Sequence, residues 1–129
     1  MNALETAILT ALASEGSNQE ANKAYLEFIK ANFIVPVEND SPEDEPRVLY
    51  LEESGHTFLP VFTNMDILTA WAQGIEDNIQ LLKLTGVNLL KGIGENVTVS
   101  LNIGSHLYKE FNCAELARMR SMVIKFFGK

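Results

Sequence analysis

The sequence predicts an α/β fold: a mixed sheet of about five to six strands, with an antiparallel hairpin and a parallel β-α-β-α-β part, and helices packed on it. Three observations carry this expectation. Apolar residues recur at helical spacing at both ends of the chain. In the middle, two apolar runs flank a glycine-containing turn, which is a hairpin and implies antiparallel pairing. Beyond the hairpin, strands alternate with short helical segments, which implies parallel pairing through right-handed crossovers.

The elements come in this order. Leu4, Ile8, Leu9, Ala11 and Leu12 predict a helix over 2–14, ended by Gly16. Ser17 and Glu20 have the spacing of a capping box for a second helix, whose apolar face is Ala21, Ala24, Tyr25, Phe28 and Ile29. Phe33–Val37 reads as a short strand, and because Pro36 has no N–H to donate, the expected position is an edge or a bulge. Residues 38–46 hold five acidic groups, two prolines and no apolar residue, which predicts a mobile acidic loop. Arg47–Glu52 and Thr57–Phe62 form the hairpin, with Gly55 available for positive φ. Thr63 or Asn64 then caps a helix carrying Ile67, Leu68, Trp71 and Ala72, which Gly74 closes. A strand over Asn78–Leu84, a short helix over Thr85–Ile93 and a strand over Val97–Leu101 come next. A turn at Asn102-Ile103-Gly104 leads to a last short strand within His106–Phe111. Asn112 with Glu115 makes a second capping box, and Leu116, Met119, Val123, Phe126 and Phe127 line the final helix, which Gly128 ends.

Length and composition bound the rest. The chain's 129 residues, 47% hydrophobic and 21% charged, suit one globular domain spanning 1–129 with a core of its own. No apolar run approaches the roughly 18 to 20 residues of a membrane helix, and the N-terminus lacks the basic start and apolar stretch of a secretory signal. Cys113 is the single cysteine, so no internal disulfide forms. The expected location is the cytoplasm, and Asn96-Val97-Thr98 reads as a chance match to a glycosylation site. A net charge of −7 argues against nucleic acid and anionic membranes as partners.

The motifs that carry chemistry are absent or incomplete. Cys113 with His56 or His106 has the residue types of a thiolate and its base, but a lone cysteine at a helix start reads first as a structural residue. The two histidines lack zinc-ligand spacing, and Glu43-Asp44-Glu45 lacks the alternation and glycine of a calcium loop, so no metal or cofactor is expected. Gly92-Ile93-Gly94 begins like a dinucleotide fingerprint, but Val97 stands at the third glycine position and the segment leads into a strand. No nucleophile elbow or phosphate-loop lysine pattern is present. Glu52 and Glu53 alternate across a strand and cannot work as a pair. Trp71, Met119 and Met122 read as core.

Three stretches resemble the SseB-type family, named for enhanced serine sensitivity. They are Phe33-Ile34-Val35-Pro36-Val37 after an amphipathic helix; Thr57-Phe58-Leu59-Pro60-Val61-Phe62-Thr63-Asn64 before a helix with Leu68 and Trp71; and Gly86-Val87-Asn88-Leu89-Leu90 followed by the strand and turn Val97–Gly104. The likeness covers about residues 17–127, and Ile103 stands where the family's turn carries proline. The resemblance implies a soluble bacterial α/β domain and brings no established activity or catalytic set.

Three functional readings result. The leading one is a non-enzymatic protein-interaction or regulatory module, using Phe33, Ile34, Val35 and Val37 as an edge for a partner strand, and Glu43, Asp44 and Glu45 as an acidic surface. The partner is an unidentified protein, with a second copy of the chain as one option. The second reading is a small-molecule-binding domain at the carboxyl ends of the parallel strands, where Thr63, Asn64, Thr85, Asn102, Gly104 and Ser105 lie. Capping and turn chemistry explains the same residue types. The third is an enzyme built on Cys113 and a histidine.

Overall fold

The computed structural model describes residues 3–13, 18–39, 47–94 and 96–127. Along the chain lie α1 (Ala3–Ala13), α2 (Asn18–Lys30), β1 (Asn32–Glu38), β2 (Leu51–Glu53), β3 (His56–Val61), α3 (Met65–Trp71), a 3₁₀ turn (Glu76–Asn78), β4 (Ile79–Thr85), α4 (Gly86–Gly92), β5 (Val97–Leu101), β6 (Lys109–Phe111) and α5 (Cys113–Phe127). The mixed α/β class read from the sequence is the observed one. Ser17 and the side chain of Glu20, and likewise Phe126, Phe127 and residues 40–46, lie outside the described residues and side chains.

The strands form a β1–β4 pair and a β2–β3–β5–β6 sheet. Ile34 and Phe62 join them by exchanging two backbone hydrogen bonds of 2.8 and 2.9 Å. One face carries α1, α2, α4 and α5. There Leu4, Ile8, Phe28, Ile29, Leu89, Leu90, Leu116 and Met119 pack on Phe33, Val35, Leu59, Val61, Val99, Leu101 and Phe111. Phe28 stands between Phe33 and Phe111, at ring separations of 4.7 and 4.9 Å. The other face carries α3, where Leu68 and Trp71, with Ala72 just past the helix, cover Phe62 together with Ile34, Ile79 and Ile103. Strand residues of opposite parity therefore serve two cores, as the twofold period of a strand requires.

Two expectations about the sheet need correction. The parallel part is a single pair, β3 with β5. β4 pairs antiparallel with β1 from Asn32↔Thr85 to Glu38↔Ile79. A central parallel strand is buried on both faces and nearly all apolar. β4 carries Gln80, Lys83 and Thr85 and is exposed along much of its length, so it occupies an edge.

The second correction concerns Phe33, Ile34, Val35 and Val37. β1 is not an edge: besides β4 it is bonded on its other side. Ile34 pairs with Phe62, the Pro36 carbonyl accepts from the Leu49 N–H at 3.0 Å, and the Glu38 N–H donates to the Arg47 carbonyl at 2.8 Å. Pro36 is tolerated because its missing donor falls where the ladder changes from Phe62 to residues 47–49. Phe33, Val35 and Val37 are buried, so this strand offers no open edge to a partner.

The hairpin forms with a tighter turn than its flanks suggested. Ser54 and Gly55 are the two loop residues, at φ of 53° and 81°. Positive φ at both matches the twist that joins two adjacent strands. Only Leu51–Glu53 pairs with β3, while Val48 bridges to Val37. Gly86 is needed for a different reason. α4 begins directly on the end of α2, with the Gly86 N–H bonded to the Ala31 carbonyl at 2.9 Å. A Cβ at Gly86 would lie 2.0 Å from the Phe28 carbonyl oxygen.

Candidate functional site

The parallel register sets Val61 beside Leu101, so the chain leaves β3 and β5 at the same end of the sheet. The Asn102 N–H continues the ladder, donating to the Val61 carbonyl at 2.8 Å. Asn102 then takes a left-handed φ of 56°, a conformation asparagine tolerates better than most residues. The turn aims its side chain at Thr63. Oδ1 accepts from the Thr63 N–H at 3.0 Å, and Nδ2 donates to the Thr63 Oγ1 at 3.0 Å. Asn102 is fully buried.

α1 adds a carboxylate to this point. Glu5 is buried, accepting a short hydrogen bond from the Thr63 hydroxyl and one of 3.0 Å from Asn64 Nδ2. Asn64 uses its Oδ1 to cap α3, accepting from the Ile67 N–H at 2.9 Å. A buried carboxylate is costly unless hydrogen-bonded, and here donors from two residues meet it. Among the described residues, every buried side-chain nitrogen and oxygen has a hydrogen-bond partner. Sequence reading found Thr63, Asn64 and Asn102 but missed Glu5. The available signal was its spacing: Glu5, Ile8, Leu9 and Leu12 fall on one helical face.

The cluster borders an open groove. A cleft of about 450 Å³ is lined by Asn32, Thr63, Lys83, Thr85 and Asn88 over an apolar floor that includes Ile34. A second cleft of about 330 Å³ shares Asn32 and Thr63 and extends to Ala3, Glu27 and Lys30. Lys30 and Glu27 form an ion pair at 3.3 Å. Thr85 also caps α4, its Oγ1 accepting from the Asn88 N–H at 3.1 Å.

The six strand-end residues therefore divide. Thr63, Asn64 and Asn102 form one cluster, and Thr85 lines the same groove as Thr63. Gly104 and Ser105 face a separate cleft of about 300 Å³ beside Asp66 and Trp71. The Ser105 hydroxyl is held within its own turn, donating to the Asn102 carbonyl at 2.8 Å and accepting from the Leu107 N–H at 3.1 Å. Glu43, Asp44 and Glu45 lie outside the described residues.

A second polar cluster sits at the start of α5. The Asn112 side chain accepts from the Glu115 N–H at 2.9 Å, and the Glu115 carboxylate accepts from the Asn112 N–H at 3.1 Å. This is the reciprocal capping box read from the sequence. The same carboxylate accepts from the Tyr25 hydroxyl at 2.8 Å and pairs with Lys109 at 3.3 Å. Burial, then the bond to Glu115, push the Tyr25 phenol up to about 12. Burial and its hydrogen bond to Glu110 push Tyr108 up to about 12 as well. Cys113 is exposed beside this box, with Sγ 3.7 Å from the Val97 carbonyl oxygen. Among the described residues no three His, Cys, Asp or Glu side chains gather as a metal site, and no helix is long and apolar enough to cross a membrane.

No curated protein matches the chain. The SseB protein N-terminal domain matches residues 5–118, a span that contains both polar clusters and the groove. The chain belongs to the SseB N-terminal domain family.

Proposed function

We propose that this domain is a non-enzymatic binding module that takes a small, polar, anionic ligand in the groove beside Thr63. The observation that carries the reading is convergence. Asn32, Thr63, Lys83, Thr85 and Asn88 come from separate parts of the chain and line one cleft of about 450 Å³. The cleft lies at the carboxyl end of β3, where α/β sheets place ligands. Lys83 supplies a positive charge, Asn32 and Asn88 supply amide donors, and Ile34 supplies an apolar floor. The self-satisfied Glu5–Thr63–Asn102 cluster holds the wall rigid, since its polar groups are already bonded to one another. This arrangement orients a ligand, and the Thr63 hydroxyl in its wall is already engaged between Glu5 and Asn102. The reading is preferred to partner binding through Phe33–Val37 because that strand is bonded on both sides.

A thermal-shift screen with small carboxylates and phosphate esters tests it. A true ligand raises the melting temperature by roughly 5–10 °C at a hundredfold excess over Kd. Asn32→Ala and Asn88→Ala lower that shift while leaving the unliganded transition in place. A panel in which no anion moves the transition overturns the reading.

A further inference from the structure

We propose that the cleft between α4 and α5 binds a free medium-chain alkyl carboxylate, its tail along the seam and its head on Lys91 and Arg120. Val87, Leu90 and Lys91 of α4 and Arg120, Val123 and Ile124 of α5 line this cleft of about 230 Å³. Each triplet has offsets of three and four, so each helix gives one stripe to the seam. Leu90 and Val123 are buried and form its floor, while Ile124 is 67% exposed. Among the described residues, the other exposed large apolar side chains, Tyr50, Met65 and Leu81, lie outside α4 and α5. At roughly 30 Å³ for each water-sized group, the cleft has room for about eight carbons.

Charge selects the occupant. Arg120 is fixed across the seam: its Nε donates to the Leu90 carbonyl at 3.0 Å and its Nη2 to the Ile93 carbonyl at 3.3 Å. Those carbonyls lie at the end of α4, where a helix leaves acceptors unpaired, so the guanidinium is held in place without a carboxylate. Among the described residues, no acid pairs with Arg120 or Lys91, and none lines the cleft. In a chain of net charge −7, two cations beside an apolar seam free of acids complement an anion with an apolar tail. The N–H groups left on the guanidinium suit a carboxylate head. Area argues against a protein partner. Six residues line the cleft, against about 20–30 a side in a stable interface. Nearby Ser121 and Lys125 on α5 are polar and exposed, so they do not extend the apolar surface. The cleft shares no lining residue with the groove beside Thr63, and the inference does not rest on that reading.

Isothermal titration calorimetry of the full chain with hexanoate, octanoate and decanoate, kept below micelle formation, tests it. The expected result is saturable one-to-one binding that tightens roughly threefold to fourfold per added methylene until the cleft is filled. Octanol, with the same tail length and no charge, binds about tenfold more weakly than octanoate. Lys91→Glu weakens octanoate binding about tenfold. Ile124→Ser weakens it about fivefold. Lys23→Glu makes the same charge change at an exposed site on α2 and shifts the affinity less than about twofold. All three positions are exposed, so each variant keeps its fold, which the thermal transition verifies. The proposal is overturned by an absence of saturable binding, by an affinity independent of chain length, or by octanol binding as tightly as octanoate. Equal losses from Lys91→Glu and Lys23→Glu, or an unchanged affinity in Ile124→Ser, overturn it too. So does capture on vesicles of phosphatidylcholine and phosphatidylglycerol in equal parts without uptake of the free acids, which would make the cleft a membrane contact.

Discussion

The two polar clusters use similar chemistry but are assembled differently. At the start of α5, Asn112 and Glu115 are three residues apart, and backbone geometry alone brings each side chain to the other's N–H. Tyr25 and Lys109 reach in from outside the helix. At the carboxyl ends of β3 and β5, the bonds that join Glu5, Thr63, Asn64 and Asn102 to one another span 39 residues or more. Glu5 comes from α1, Thr63 and Asn64 from the end of β3, and Asn102 from the end of β5. The first cluster stabilises one helix. The second ties a helix and two strand ends together, so it forms only when the tertiary structure does.

Asn102→Ala breaks this comparison most severely. It removes the acceptor of the Thr63 N–H and the amide that donates to the Thr63 hydroxyl, which keeps its bond to Glu5, and it leaves alanine at positive φ. The expected loss is about 3–5 kcal/mol, read by denaturant unfolding. Asn102→Gly recovers about 1 kcal/mol of it, because glycine adopts that φ without strain. Equal losses in the two variants would mean that the hydrogen bonds alone set the cost.

Glu115→Ala is the matching test at the helix cap. Losing the capping box and leaving the Tyr25 hydroxyl without this acceptor costs about 2–3 kcal/mol. Repeating the substitution in a Tyr25→Phe background separates the local part from the long-range part. A coupling of about 0.5–1 kcal/mol is expected. A value of zero would make the cluster purely local.

The smallest expected effect is alkaline. The Tyr25 phenol stands at about 12 when folded, above its ordinary value of 10.0. The folded state thus holds its proton where the unfolded state has lost it, and stability falls as pH rises from about 10 toward 12. Tyr108 acts with the same sign. Tyr25→Phe is expected to flatten part of this fall in melting temperature, and Tyr108→Phe a further part.

The existence and order of the elements were legible because helical and strand periodicities are local. So were the caps Asn64 and Asn112 with Glu115, each acting within three residues. The candidate site was half legible. Thr63, Asn64, Thr85 and Asn102 stood out as polar residues at strand ends, but nothing local separates Asn102, which closes a buried network, from Ser105, which closes its own turn. Glu5 looked like an ordinary helix residue, because its partners are 58 and 59 positions away.

By itself the sequence determined the mixed α/β class, the positive-φ hairpin turn and the capped helix starts, since each rests on residues within a turn or two of one another. Only the tertiary structure decided that β1 is internal, that β4 turns antiparallel to β1, and that Glu5 meets Thr63. Those outcomes depend on which apolar faces find each other across the chain. A proline that suggests an edge strand locally fits an internal strand once two different segments share its far side.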